Sequence, residues 1–360
     1  MLKTTDSGSL DPSSPAERKV SYDYPNQLVS LLKQLGSSLL LSTYQAGKLV
    51  VLGVHDDALQ ISFHNFDRAM GVAMGRNQIA IGGKDWIYFL KNAPELAPHV
   101  GAPNTHDACF LIRGAHYTGD IAVHELAWGT DQLVVNNTRF SCLCSLDNNY
   151  SFVPQWQPPF ISALASEDRC HLNGIALVDG TPKYATVLGQ TDTPGGWRPN
   201  KAIDGCVLEL PSGKVVAKGL AMPHSPRISQ GQLWVLNSGL GALTQINLPS
   251  GEIESVVELP GYPRGLAIAG QYAFVGLSKA RESDTFGNLP ISDRPDALKC
   301  GVAIVDLQTQ TQLGLLEFKS GVDEIFDVQL LPGIRNPFFS GPHAVVDGSP
   351  PIWMVPSPSS

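Results

Sequence analysis

The segment HSPRISQGQLWVLNSG, residues 224–239, decides the fold. It opens on a polar head, runs through an apolar alternation and a turn, and continues into a second apolar run. The same shape recurs as RAMGVAMGRNQIAIGG from Arg68, HELAWGTDQLVVNN from His124, HLNGIALVDGTPKYATVLG from His171 and YPRGLAIAGQYAFVGLS from Tyr262. Aligned, the head position is Met70, His124, Asn173, His224 and Arg264. A sixth unit, EIFDVQLLPG from Glu324, places Phe326 there.

Successive heads lie 54, 49, 51, 40 and 62 residues apart. A four-stranded propeller blade has a period of about 40–45 residues. The excess has a local source in GQTDTPGGWRPNK (189–201) and SKARESDTFGNLPISDRPDALK (278–299), each following the second strand of its unit. The sixth unit stops after one strand, and the run SLLLSTYQAGKLVVLGVHDDALQISF (38–63) supplies the other three. The expectation is an all-β chain forming a single six-bladed propeller, its ring closed by the C-terminal strand joining N-terminal strands. Closure removes the open sheet edges. An open sandwich would not require six similar strand pairs in register.

Composition agrees. Of 360 residues 43% are hydrophobic and only 16% charged, with 35 Gly and 27 Pro, which excludes a coiled coil or helical bundle. The one helix-like stretch is 26–35, ended by Gly36. Residues 1–20 read as a disordered tail, 21–334 as the propeller and 335–360 as a Pro/Ser-rich tail in which Ile352, Trp353 and Met354 could dock. The net charge of −8 argues against nucleic acid or an anionic membrane as partner. No run of 18 apolar residues and no apolar leader is present, so a cytoplasmic location is expected. The six cysteines have no framework spacing and read as free, packed thiols.

A propeller's inner strands line its central channel. The six heads should therefore ring one mouth, and the loops after the second strands should rise around it. Such a concave site suits a small molecule or peptide. The candidate ligand-binding residues are His171, Trp197, Arg198, Arg264, Asn136, Asn237 and Arg281. The guanidinium groups suit a carboxylate or phosphate, or else salt bridges to Glu324, Asp192 or Glu282. Trp197 suits a stacking lid or a packed loop anchor.

Two resemblances attach to these residues. The units NGIAL from Asn173 and HSPRISQGQLWV from His224 resemble the blade signatures of the senescence-marker-protein/gluconolactonase superfamily. That resemblance implies one divalent metal on the axis. Its ligands are a Glu at the start of the closing blade, the Asn of the NG signature and an Asp one blade later. Glu324 and Asn173 match the first two, whereas His224 stands at the Asp position and His124 at a further Asn position. Histidine in place of oxygen donors moves the preference from calcium toward Zn, Mn, Fe or Cu. The expected metal site is thus His124, Asn173, His224 and Glu324, with His171 in reserve. The histidines could equally be structural hydrogen-bonding residues. The second resemblance spans LLLSTYQAGKL, GGKDWIYFL, GGWRPNKAIDG, MPHSPR, ESDTFGNLPISDR and EIFDVQLLPG. These are similar to a bacterial family of propeller proteins of unknown function, which implies the fold and no established reaction. The functional expectation is a metal-dependent small-molecule or peptide-modifying enzyme, hydrolase- or lactonase-like. The alternatives are a non-catalytic peptide- or protein-binding propeller and a plain scaffold.

Overall fold

The computed structural model describes residues 19–279, 287–293 and 298–356. Its strands form six sheets, numbered here as blades in chain order. Blade 1 pairs Ser37–Thr43, Lys48–His55 and Ala58–Asn65 with the innermost strand Asp327–Pro332. Blade 2 holds Val72–Met74, Gln78–Gly82, Trp86–Asn92 and Ala108–Tyr117. Blade 3 holds Val123–Trp128, Leu133–Asn137, Cys142–Asp147 and Tyr150–Trp156, and blade 4 Leu172–Val178, Thr181–Val187, Gly205–Glu209 and Lys214–Leu220. Blade 5 holds Pro223–Ser229, Gln232–Asn237, Ala242–Ile246 and Ile253–Glu258. Blade 6 holds Tyr262–Ala269, Tyr272–Ser278, Cys300–Asp306 and Thr311–Ser320. The six-bladed ring and its mixed first blade are those expected from the repeats.

Strand alternation explains the seams. Successive side chains of a strand point to opposite faces, and inside the ring both faces meet another blade. In the run 39–41, Leu39 and Leu41 pack against Phe274, Val302 and Leu316 of blade 6, while Leu40 packs against Val72, Ile81 and Phe110 of blade 2. Both faces are apolar, so the run is continuous rather than alternating. Each fully buried leucine stabilises by about 1.5–3 kcal/mol.

The helix Asn26–Leu35 lays Leu28, Val29, Leu31 and Leu32 over the seam between blades 6 and 1. It ends where Gly36 turns left-handed at φ 57° and donates its N–H to the carbonyls of Leu32 and Lys33. Residues Ser21–Asp23 add an antiparallel edge strand to blade 6. Pro337–Ser340 adds a parallel one to blade 2, beside Ala108–Leu111. This corrects the expected tail at 335–360: Phe339 is buried against Phe110, and the Asp347 carboxylate accepts hydrogen bonds from the backbone N–H and the side-chain amide of Asn65. The Pro/Ser composition masked a short apolar strand. Residues 1–18 lie outside the described region. All six cysteines are free and buried. Among the described residues no helix is long and apolar enough to cross a membrane.

Candidate functional site at the channel mouth

The heads of the inner strands are irregular in the same place. In blade 3 His124 and Glu125 together oppose Asn136, in blade 5 Ser225 and Pro226 oppose Val235, and in blade 6 Arg264 and Gly265 oppose Gly276. In blade 4 Asn173 is the extra residue between Leu172 and Gly174. Such β-bulges break the two-residue alternation and re-aim side chains. Here they let neighbouring residues both reach the axis. Gly265 shows how tight the turn is, with φ +80° and the position of an added Cβ only 2.5 Å from the Val328 nitrogen.

A cavity of ≈ 300 Å³ opens at this end of the channel. His124, His171, His224, Arg264, Glu324 and Phe326 line it, with Tyr44, Tyr262, Arg68, Lys84, Asp120 and Arg139 among its other walls. His124 Nδ1 lies 2.9 Å from the Ala122 carbonyl, and His224 Nδ1 lies 2.9 Å from the Met222 carbonyl and 3.0 Å from Ser238 Oγ. Ala122 and Met222 both have positive φ, so the two histidines sit in the same local motif two blades apart. His171 Nδ1 lies 3.0 Å from each carboxylate oxygen of Asp168, and Trp197 Nε1 donates to that carboxylate at 3.1 Å. The rings interlock. His171 is 4.5 Å from Trp197 and 4.7 Å from His124, and His124 is 5.4 Å from Phe326. Burial, reinforced by His171 and Arg264, holds His124 well below the ordinary histidine range. Burial, Arg264 and His171 do the same for His224.

Arg264 is the cation at the centre. Its guanidinium carbon sits 3.3 Å from the centroid of the Phe326 ring, and Nη1 lies 4.0 Å from Glu324 Oε1. Its Nη2 is buried with no hydrogen-bond partner among the described residues. Burial pulls its pKa down, against the pull of Glu324. At the rim Asp120 holds Arg139 at 3.0 Å and Arg68 at 3.8 Å. Four cationic side chains thus line the cavity against two carboxylates, in a chain whose net charge is −8.

Several expected residues stand elsewhere. Asn173 is buried beneath the mouth. Its oxygen accepts from Thr186 Oγ1 at 2.6 Å and its nitrogen donates to the Pro223 carbonyl at 3.1 Å. The amide of Asn136, oriented to satisfy both ends, faces the Leu172 carbonyl at 2.7 Å and the Gly174 N–H at 3.1 Å. Asn237 Oδ1 accepts from the Ala221 N–H at 2.9 Å. These three side chains tie adjacent strands together. Trp197 is buried behind His171, among Leu188, Met222, Tyr262, Leu289, Ile291 and Leu298. There the two long loops pack on each other as a wall beside the mouth. Arg198 is half-exposed, its guanidinium 4.5 Å from the Trp197 ring and 3.9 Å from Asp168. Arg281 lies outside the described residues.

Of the four expected metal ligands, His124, His224 and Glu324 line the cavity, whereas Asn173 does not. Both ends of the Asn173 amide are committed, and Glu324 faces Arg264. Among the described residues no three His, Cys, Asp or Glu side chains converge on a point an ion could occupy.

Beneath the cavity lies a network absent from the sequence reading. Further along the same inner strands, Arg227 of blade 5 pairs with Glu125 of blade 3 and approaches Asp327 of blade 1 at 3.9 Å. Glu125 accepts the Ile175 N–H of blade 4 at 2.9 Å, Asp327 accepts the Val72 N–H of blade 2 at 2.8 Å, and Arg227 Nε donates to the Leu266 carbonyl of blade 6 at 2.9 Å. Three side chains therefore tie all six inner strands and floor the pocket. Burial raises the pKa of both carboxyls, against the opposing pull of Arg227.

A family model described as a domain of unknown function matches residues 26–339. No curated protein matches the chain. Among solved structures, a chain of the nidogen/laminin complex is similar at TM-score 0.54 and 12% identity, over 82% of this chain and 99% of that one. A protein of unknown function from Bacteroides caccae is similar at TM-score 0.51 and 12% identity, over 82% and 98%. At this identity the likeness concerns the fold alone.

Proposed function

The chain belongs to that family, DUF4915, and we propose that it is a small-molecule-binding propeller whose channel mouth takes a ligand through an anionic group. The observation that carries this is Arg264, a guanidinium held almost dry, stacked on Phe326, with one nitrogen that has no partner among the described residues. A buried cation that its own protein compensates only in part favours an incoming carboxylate or phosphate. The ≈ 300 Å³ cavity and its floor suit a compact molecule better than a peptide. Titrating inorganic phosphate and lactate calorimetrically into the wild-type protein and Arg264→Gln tests the reading. Affinity should fall at least tenfold in the variant. Equal affinity in the two proteins would overturn it.

One observation favours catalysis at the same site. The Asp168 carboxylate fixes His171 in one orientation at the cavity wall, the arrangement of a general base with its positioning partner. An ester- and lactone-hydrolysis screen checks this second reading. Turnover that survives His171→Gln, or none with any ester or lactone, counts against it. No resident metal is part of either reading.

A further inference from the structure

The three imidazoles at the mouth share a hydrogen-bonding state. Carbonyl and carboxylate oxygens only accept, so the Nδ1 that meets Ala122 O, Asp168 or Met222 O is in each case the protonated nitrogen. In its neutral form a ring held this way carries a lone pair on Nε2. Among the described residues no Nε2 of His124, His171 or His224 has a hydrogen-bond partner, and all three rings line one cavity. The Glu324 carboxylate stands in the same wall. Around the Arg264 anchor the walls are therefore rich in acceptors. A bare anion seated on Arg264 would leave the Nε2 lone pairs desolvated and unsatisfied, which costs free energy.

We propose that the occupant is a small carboxylate whose neighbouring carbons bear hydroxyl or ammonium groups, the carboxylate meeting Arg264 and the donor groups meeting Nε2 of His124, His171 and His224. The inference rests on the anion-binding reading above and adds the chemistry of the rest of the ligand. It sets a ladder of affinities. A donor that satisfies a buried acceptor is worth about 1 kcal/mol, roughly fivefold in affinity.

The test is calorimetric titration of the full-length protein with propionate, lactate, glycerate and serine. These share the carboxylate, the first three carry none, one and two hydroxyls, and serine carries a hydroxyl and an ammonium. Affinity should rise about fivefold or more from propionate to lactate and again to glycerate or serine, and the better of the last two tells hydroxyl from ammonium. In His171→Phe the ladder should flatten while propionate binding persists. Nitrogen-15 spectra of histidine-labelled protein give a second readout that needs no variant, with Nδ1–H expected for all three rings. Propionate binding as tightly as glycerate and serine, or Nε2–H tautomers, would overturn this inference and leave the anion-binding reading standing. Glycerate binding unchanged by Arg264→Gln would overturn the anion-binding reading instead. No binding of any of the four would overturn both. Tight Zn²⁺ binding lost on substitution of any one of the three histidines would replace the inference with a metal centre.

Discussion

Arg227 and Glu125 form an ion pair across the channel, joining blade 5 to blade 3 with both side chains largely buried. Removing one partner of such a pair strands the other charge, at a cost of about 3–5 kcal/mol. Arg227→Met should therefore destabilise the protein by that order. Replacing both residues (Arg227→Met with Glu125→Met) should cost less than the arginine change alone. Urea unfolding of the three proteins checks the ordering. A double variant less stable than Arg227→Met would show that the pair acts through more than charge compensation.

Gly265 and Gly270 both have positive φ, +80° and +58°, yet they differ in surroundings. An added Cβ at Gly265 would lie 2.5 Å from the Val328 nitrogen, whereas at Gly270 nothing lies within 4 Å. Gly270→Ala should cost about 1–2 kcal/mol, from backbone conformation alone. Gly265→Ala should cost clearly more, because the bulge beside Arg264 must also move. Thermal unfolding midpoints give the comparison, and equal losses would count against a steric role for that bulge.

His64 is buried under Phe339, with its Nδ1 4.0 Å from an Asp347 oxygen. Burial lowers its pKa from 6.5 to about 4, despite the pull of Asp347. The unfolded chain thus binds a proton below pH 6.5 that the folded chain refuses until about pH 4, and stability falls as pH drops through that window. At pH 5 the loss from this group is about 2 kcal/mol. The depressed pKa values of His124 and His224 act in the same direction. His64→Gln should reduce the difference in stability between pH 7 and pH 5 by about that amount, measured by urea unfolding at each pH. An unchanged difference would mean that the ring is solvated.

Phe339 is 1% exposed and stacks on Phe110 at a centroid distance of 5.1 Å. Phe339→Ala should cost about 3–5 kcal/mol. It should also speed amide hydrogen exchange in the segment Ala108–Leu111, whose edge the strand Pro337–Ser340 covers. Exchange at wild-type rates there would mean that the strand stays docked without its aromatic anchor.

The ring was legible in the sequence because its determinants are local and periodic. Each unit writes its own strand pair, and the run 38–63 lacks an inner strand that EIFDVQLLPG supplies. Aligned heads also placed His124, His224, Arg264 and Phe326, with Glu324 in the same segment, at one mouth, where they line the same cavity. Asn173 is the instructive departure. It aligns with the other heads, but as the extra residue of a bulge it is turned beneath the mouth, and His171, with φ +52°, takes the cavity position. Alternation cannot register a bulge, since one inserted residue inverts the phase of everything beyond it. The floor was invisible for another reason. Glu125 and Arg227 are 102 residues apart and two blades away, so no periodicity links them.

The first blade is stitched from residues 37–65 and 327–332. A nascent chain therefore cannot close the circle, nor shape the pocket above it, until residues 327–332 have left the ribosome. Five sectors can accumulate while the segment 37–65 waits with an unpaired edge, so the interval of exposure to wrong partners lasts until the strand 327–332 emerges and ends in a single step.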